Sequence, residues 1–78
     1  MLSETNLSGK YRHYKTEKVY EIIGLARHSE TYEDMVVYKA LYHCNQFGGN
    51  QLWVRPQQMF FEQVMHNGQM VPRFQRIT

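Results

Sequence analysis

A chain of 78 residues, 42% hydrophobic and 21% charged, has room for one domain with a thin core; chains of this size bury only about 60% of the surface their unfolded forms expose. A net charge of +2 is too small to mark a duplex nucleic-acid binder by global electrostatics, and no apolar run approaches the length of a membrane span.

Residues 1 to 8 are polar and aperiodic, which predicts a flexible N-terminal tail without the pattern of a signal peptide. The first strand, predicted over residues 9–15, carries the least ordinary pattern in the chain. Alternation puts Lys10, Arg12 and Tyr14 on one face and Tyr11, His13 and Lys15 on the other, so neither face is plainly apolar. Residues 18–27 form a second strand, with Val19, Ile23 and Leu25 on one face and Tyr20, Ile22 and Ala26 on the other. Glu21 is a misfit on the first of these faces, and Gly24 in mid-strand signals a bulge or bend. Two apolar faces predict a central strand.

Residues 28–34 are polar and read as a loop with an acidic end, Glu30, Glu33 and Asp34 standing against the basic Lys10, Arg12, Lys15 and Lys18. Residues 35–44 predict a third strand, with Val36, Tyr38, Ala40, Tyr42 and Cys44 on one face. Cys44 is the one cysteine, which excludes an internal disulfide and points to a reducing, cytoplasmic setting. Gly48-Gly49 marks a turn, and Leu52 to Arg55 a fourth strand that Pro56 ends or confines to an edge. If Val54 points inward, Trp53 and Arg55 share the opposite face. A one-turn 3₁₀ segment over Gln57 to Met59 leads to a fifth strand, residues 60–65, and Asn67-Gly68 is a two-residue hairpin signal that returns the chain through Met70 to Phe74. The class is therefore all-β: a small SH3-like barrel, or a strongly bent antiparallel sheet, of five to six short strands in one domain over residues 9–78.

Three constellations carry chemistry. In the first strand, Arg12 and Lys15 suit phosphates while Tyr11 and Tyr14 offer ring faces to bases; the competing reading is rim packing, with cationic stems covering apolar surface. In the loop, His28, Ser29 and Glu30 form either an acid–base or ligand-orienting group, or a local hydrogen-bonded cap. In the fourth strand, Trp53 and Arg55 form a cation–π pair or an anion clamp, unless Arg55 pairs with Glu30 or Glu62. No metal site is expected, because the histidines and Cys44 lack zinc-type spacing, and neighbouring His43 and Cys44 face opposite sides of a strand. Cys44 itself reads as an inert, half-buried thiol.

Several of these residues lie in a recurring pattern: Tyr11-Arg12-His13-Tyr14-Lys15, Gly24 to Thr31, Val36 to Tyr42, Leu52-Trp53-Val54-Arg55-Pro56, Met59-Phe60 and Pro72-Arg73-Phe74. The pattern resembles DUF1653, a small bacterial domain family of unknown function, over nearly all of Gly9 to Ile77. The resemblance implies a compact, mainly β domain and marks Tyr11, Arg12, His13, Tyr14, Lys15, His28, Ser29, Glu30, Trp53, Arg55, Pro56 and Arg73 as motif positions. It implies no activity. Where the family typically has a glycine after the Tyr-Arg-His-Tyr-Lys run, this chain has Thr16.

The expectation is a non-catalytic binding module for an anionic ligand: single-stranded RNA, a nucleotide or an acidic peptide. Its ligand-binding residues are Tyr11, Arg12, Tyr14, Lys15, His28, Ser29, Glu30, Trp53 and Arg55, with no cofactor, no metal and no membrane partner. Two alternatives stay open: a small hydrolase or transferase using His28 and Glu30, and a protein-interaction module that pairs a partner strand along an exposed edge.

Overall fold

The computed structural model describes residues 7–78, so most of the tail expected over residues 1–8 lies outside the described residues. Leu7 does not belong to a tail: it is buried in the core and its carbonyl accepts a 2.8 Å hydrogen bond from the Tyr11 hydroxyl.

Five strands form one antiparallel sheet: β1 (Lys10–His13), β2 (Val19–Arg27), β3 (Asp34–Ala40), β6 (Leu52–Pro56) and β9 (Phe74–Arg76), in the order β6-β3-β2-β1-β9. Two ribbons complete the fold, β4 (His43–Cys44) with β5 (Gly48–Gly49), and β7 (Gln63–His66) with β8 (Gln69–Pro72). The all-β class and the antiparallel sheet are as expected. The closed barrel is not: β6 and β9 are the two edges of the sheet and do not pair with each other. β9 is only three residues long, and Pro56 at the end of β6 has no amide hydrogen to give. The strand expected over residues 35–44 breaks after Ala40, and the one expected over 60–65 starts later, because α1 (Gln57–Phe60) extends the predicted single turn through Phe60.

Inner-facing rows across the sheet join Tyr20 to Ala40, Ile22 to Tyr38 to Trp53, and Leu25 to Val36 to Arg55; outer rows join Glu21 to Lys39 to Leu52, and Gly24 to Val37 to Val54. Glu21, the misfit of β2, thus faces Lys39, and the two form a 3.7 Å ion pair. A bulge interrupts β2 where the Gly24 signal placed it. Ile22 pairs with Tyr38 and Gly24 with Val37, so Ile23 is an extra residue. The extra residue inverts the alternation, which corrects the faces read from β2. Ile23 is 52% exposed, whereas Leu25 joins Tyr20 and Ile22 against the core.

The core is Leu7, Tyr11, Ile22, Val36, Tyr38, Phe60 and Phe74. Phe60, fully buried, stacks on Phe74 with centroids 4.2 Å apart and meets Tyr38 and Tyr11 edge-on at 5.1 and 5.6 Å. A one-turn helix has little stability of its own; α1 is held by this side chain. The Asn67-Gly68 turn forms as predicted, with φ of 52° and 81° at its two central residues, both positive as a type I′ hairpin turn requires. Thr16 does not occupy the left-handed position of the turn after β1; that conformation falls on Glu17 at φ 62°.

Gly9 enters β1 with φ of 128°, and a Cβ there would sit 2.6 Å from the Thr78 carbonyl oxygen. The same neighbourhood closes the chain ends, since Ile77 N–H donates to Lys10 O and Lys10 N–H to Thr78 Oγ1. Gly9→Ala is expected to cost about 1–3 kcal/mol, read as a lower urea midpoint at unchanged slope.

Candidate functional site

The residues singled out from sequence fall in three places rather than one. Arg12, Tyr14 and Lys15 line a cleft with His13, His66 and Pro72; His28, Ser29 and Glu30 line a shallow depression with Met35 and Val54; Trp53 and Arg55 line a third with Tyr20, Tyr38 and Tyr42. Arg12 pairs with Val19 at the start of β2, and His28 follows Arg27 at its end. A strand of that length separates the two groups by about 25 Å. One site built from all nine residues is therefore excluded. Tyr11 drops out altogether: its ring is 5% exposed and packed on Phe60, leaving no face for a ligand. The two-faced look of β1 hid this, because Tyr11 points inward while Arg12 beside it is exposed.

Trp53 and Arg55 share a face as expected, but it is the inner one; Val54 points outward and is 61% exposed. They form, with three tyrosines, a pocket of about 210 Å³. The Tyr20 and Tyr42 hydroxyls are 2.8 Å apart, and the Lys18 ammonium lies 4.5 Å above the Tyr42 ring. Burial, then the hydrogen bond to Tyr42, raises the Tyr20 pKa far above its ordinary value. Arg55 is half-buried. Its Nε donates to the Tyr38 hydroxyl at 3.4 Å, and its guanidinium lies 5.6 Å from the Phe74 centroid. Neither carboxylate considered for it is its partner: Glu62 pairs with Arg73 at 2.7 Å, and Glu30 takes a hydrogen bond from Ser29. Among the described residues Arg55 has no ion pair, whereas Arg27, Lys39 and Arg73 each have one. Sequence reasoning missed Tyr20, Tyr38, Tyr42 and Lys18. Alternation had already put Tyr38 and Tyr42 on one face; the pairing register that brings Tyr20 and Trp53 beside them is non-local.

The neighbouring cleft has a volume of about 370 Å³. Its floor includes His13, whose ring packs edge-on against Phe74 at 5.0 Å and whose Nδ1 accepts from the amides of Lys15 and Thr16. Tyr14 lies between His13 and the His66 ring, 5.0 and 5.3 Å away. Burial first, then Arg55, Arg73 and Lys15, holds the His13 pKa below its ordinary 6.5. As pH falls through that value the unfolded chain takes up the proton before the folded one, so stability declines and levels off below the folded pKa. His13→Asn, which keeps an acceptor for the two amides, is expected to remove this part of the fall in urea midpoint between pH 7.5 and 5.5.

In the third place, His28 Nδ1 accepts from the amides of Glu30 and Thr31, and the His28 backbone exchanges hydrogen bonds with Glu33 and Tyr32. This is a capped turn, with Tyr32 in the left-handed region at φ 64°. Cys44 is half-buried, and the amides of Phe47 and Gln46 hold its thiol pKa below the ordinary value, an environment less inert than its sequence context suggested. No group of three or more His, Cys, Asp or Glu side chains able to hold a metal ion occurs among the described residues, and no helix there is long and apolar enough to cross a membrane.

These features define a small all-β domain: an open antiparallel sheet with an aromatic and cationic inner rim. The chain belongs to the DUF1653 family, proteins of unknown function, whose sequence profile matches residues 9–76. It is similar to a DUF1653 protein of known crystal structure from Bordetella bronchiseptica, with 37% identity and a TM-score of 0.77 over 90% of this chain and 85% of that one. No curated protein matches it.

Proposed function

We propose that the domain is a non-catalytic binding module for an anionic ligand that carries a planar ring, with a nucleotide unit as the best fit. The observation that carries this reading is Arg55, a half-buried guanidinium with no ion pair among the described residues, set beside Trp53 and three tyrosines. A cation partly removed from water is ordinarily paired. A phosphate would complete it with charge-assisted hydrogen bonds, and a base would find ring faces in the same pocket. The volume of about 210 Å³ admits one ring system and does not enclose a large ligand. Single-stranded RNA and free nucleotides share this chemistry; an acidic peptide offers the charge without the ring. The single cysteine and the bacterial relative support a bacterial, cytoplasmic setting.

Trp53 is the chain's one tryptophan and lines the pocket, so its fluorescence reports occupancy. Titration with adenosine monophosphate is expected to quench it, with affinity that falls as salt rises. Absence of any change below millimolar ligand, or binding indifferent to salt, removes the reading. Hydrolase or transferase chemistry at His28 and Glu30 has less support, since His28 Nδ1 is occupied by two loop amides and Glu30 by Ser29.

A further inference from the structure

Arg12 and Lys15 are both exposed, and neither has a hydrogen bond or ion pair from its side chain to any described residue. They line the cleft of about 370 Å³ together with Tyr14, His66 and Gln75, and the one carboxylate among its described lining residues is Glu17. Surface cations without partners carry little meaning singly. Here they stand beside two ring side chains in edge-on contact, Tyr14 and His66, which gives the cleft the same pairing of cation and ring as the Trp53 pocket. Each depression has a wall residue packed on the same buried ring. Phe74 carries His13, part of the cleft wall, on one side and Arg55, part of the pocket wall, on another, with the His13 centroid and the Arg55 guanidinium carbon 5.0 and 5.6 Å from its own. Tyr20 of the pocket lies against the same ring. A ligand with one anionic group and one base has use for only one of these places. A ligand with repeated phosphates and bases has use for both.

We infer that the ligand is single-stranded RNA rather than a free nucleotide, with one nucleotide at Trp53 and Arg55 and the next phosphates and a base in the cleft of Arg12, Tyr14, Lys15 and His66. This rests on the reading of the Trp53 pocket and adds a direction to it: the strand runs from that pocket, past Arg55 and His13, to the cleft. Stacking on tyrosine and histidine, with cations tracking the backbone, is the general mode of sequence-tolerant single-strand binding.

The test compares adenosine monophosphate with a hexamer of adenylate RNA, both read by Trp53 fluorescence at several salt concentrations. The hexamer is expected to bind at least tenfold more tightly, and the double variant R12A/K15A to bind the two ligands alike. In that variant the slope of log affinity against log salt for the hexamer should fall by about 1.4, from about 0.7 for each lost phosphate contact on a single strand. Both side chains are exposed and have no partner among the described residues, so thermal melts of the variant should match the parent. If the hexamer binds no better than the mononucleotide, or if R12A/K15A keeps the hexamer's advantage, the RNA track is wrong while the pocket reading stands. If neither ligand binds, both fall. A hexamer of glutamate that matches the RNA would show recognition of charge alone and overturn the assignment.

Discussion

Phe60→Ala is expected to remove a large part of the domain's stability. The ring is fully buried, stacks on Phe74 and meets Tyr11, Tyr38 and Phe61 edge-on. Truncating a buried phenylalanine costs about 3–5 kcal/mol, and a domain of this length has about 4–12 kcal/mol in total. The loss also falls on α1, whose one buried residue is Phe60. A fall in Tm of more than about 12 °C is expected, at about 4 °C or more per kcal/mol for small domains, with loss of near-ultraviolet circular dichroism. Phe60→Leu, which keeps most of the volume, should cost about 1–2 kcal/mol. If Phe60→Ala melts within a few degrees of the parent, the aromatic stack is not the centre of the core.

Arg55→Met has the opposite signature: little change in stability and a large change in binding. The methionine keeps an unbranched apolar stem and removes a half-buried charge that has no ion pair among the described residues. What the fold loses is one long hydrogen bond, 3.4 Å to the Tyr38 hydroxyl, and the guanidinium's contact with the Phe74 ring. Replacing a poorly compensated charge by an apolar side chain is often neutral or stabilising, so the urea midpoint should correspond to a change within about 1 kcal/mol or a gain. Affinity for adenosine monophosphate should fall at least about tenfold, since a charge-assisted hydrogen bond contributes about 1.5–3 kcal/mol. A variant that loses several kcal/mol of stability would mark Arg55 as a structural residue instead.

Local chemistry made much of this fold legible. The Asn67-Gly68 hairpin follows from two residues that tolerate positive φ, and the inward face of β3 follows from strict alternation of Val36, Tyr38 and Ala40. The bulge near Gly24 was visible, but not which residue it would extrude, and so the face of Leu25 was misread. The choice between a closed barrel and a bent sheet was not legible, because closure depends on whether β6 and β9 meet, and no local pattern encodes that. The site was less readable than the fold. Arg55 and Trp53 were visible as a pair, but a cation's meaning depends on which carboxylates fold nearby, and Glu62 goes to Arg73. Tyr11 looked like a ligand-facing ring because its neighbours are cationic; its burial depends on Phe60, 49 positions later in the sequence.

The bulge at Ile23 gives β2 one residue that it can lose. Ile23 is the residue without a cross-strand partner, so deleting it leaves Tyr20, Ile22 and Leu25 all facing inward and joins the strand into regular register with β3. A single deletion anywhere from Glu21 to Gly24 removes the one extra residue and restores the alternation, and loss of Ile22 or of Ile23 gives one and the same sequence. The span 21–24 is therefore where β2 can be one residue shorter and still send Tyr20, an isoleucine and Leu25 to the core.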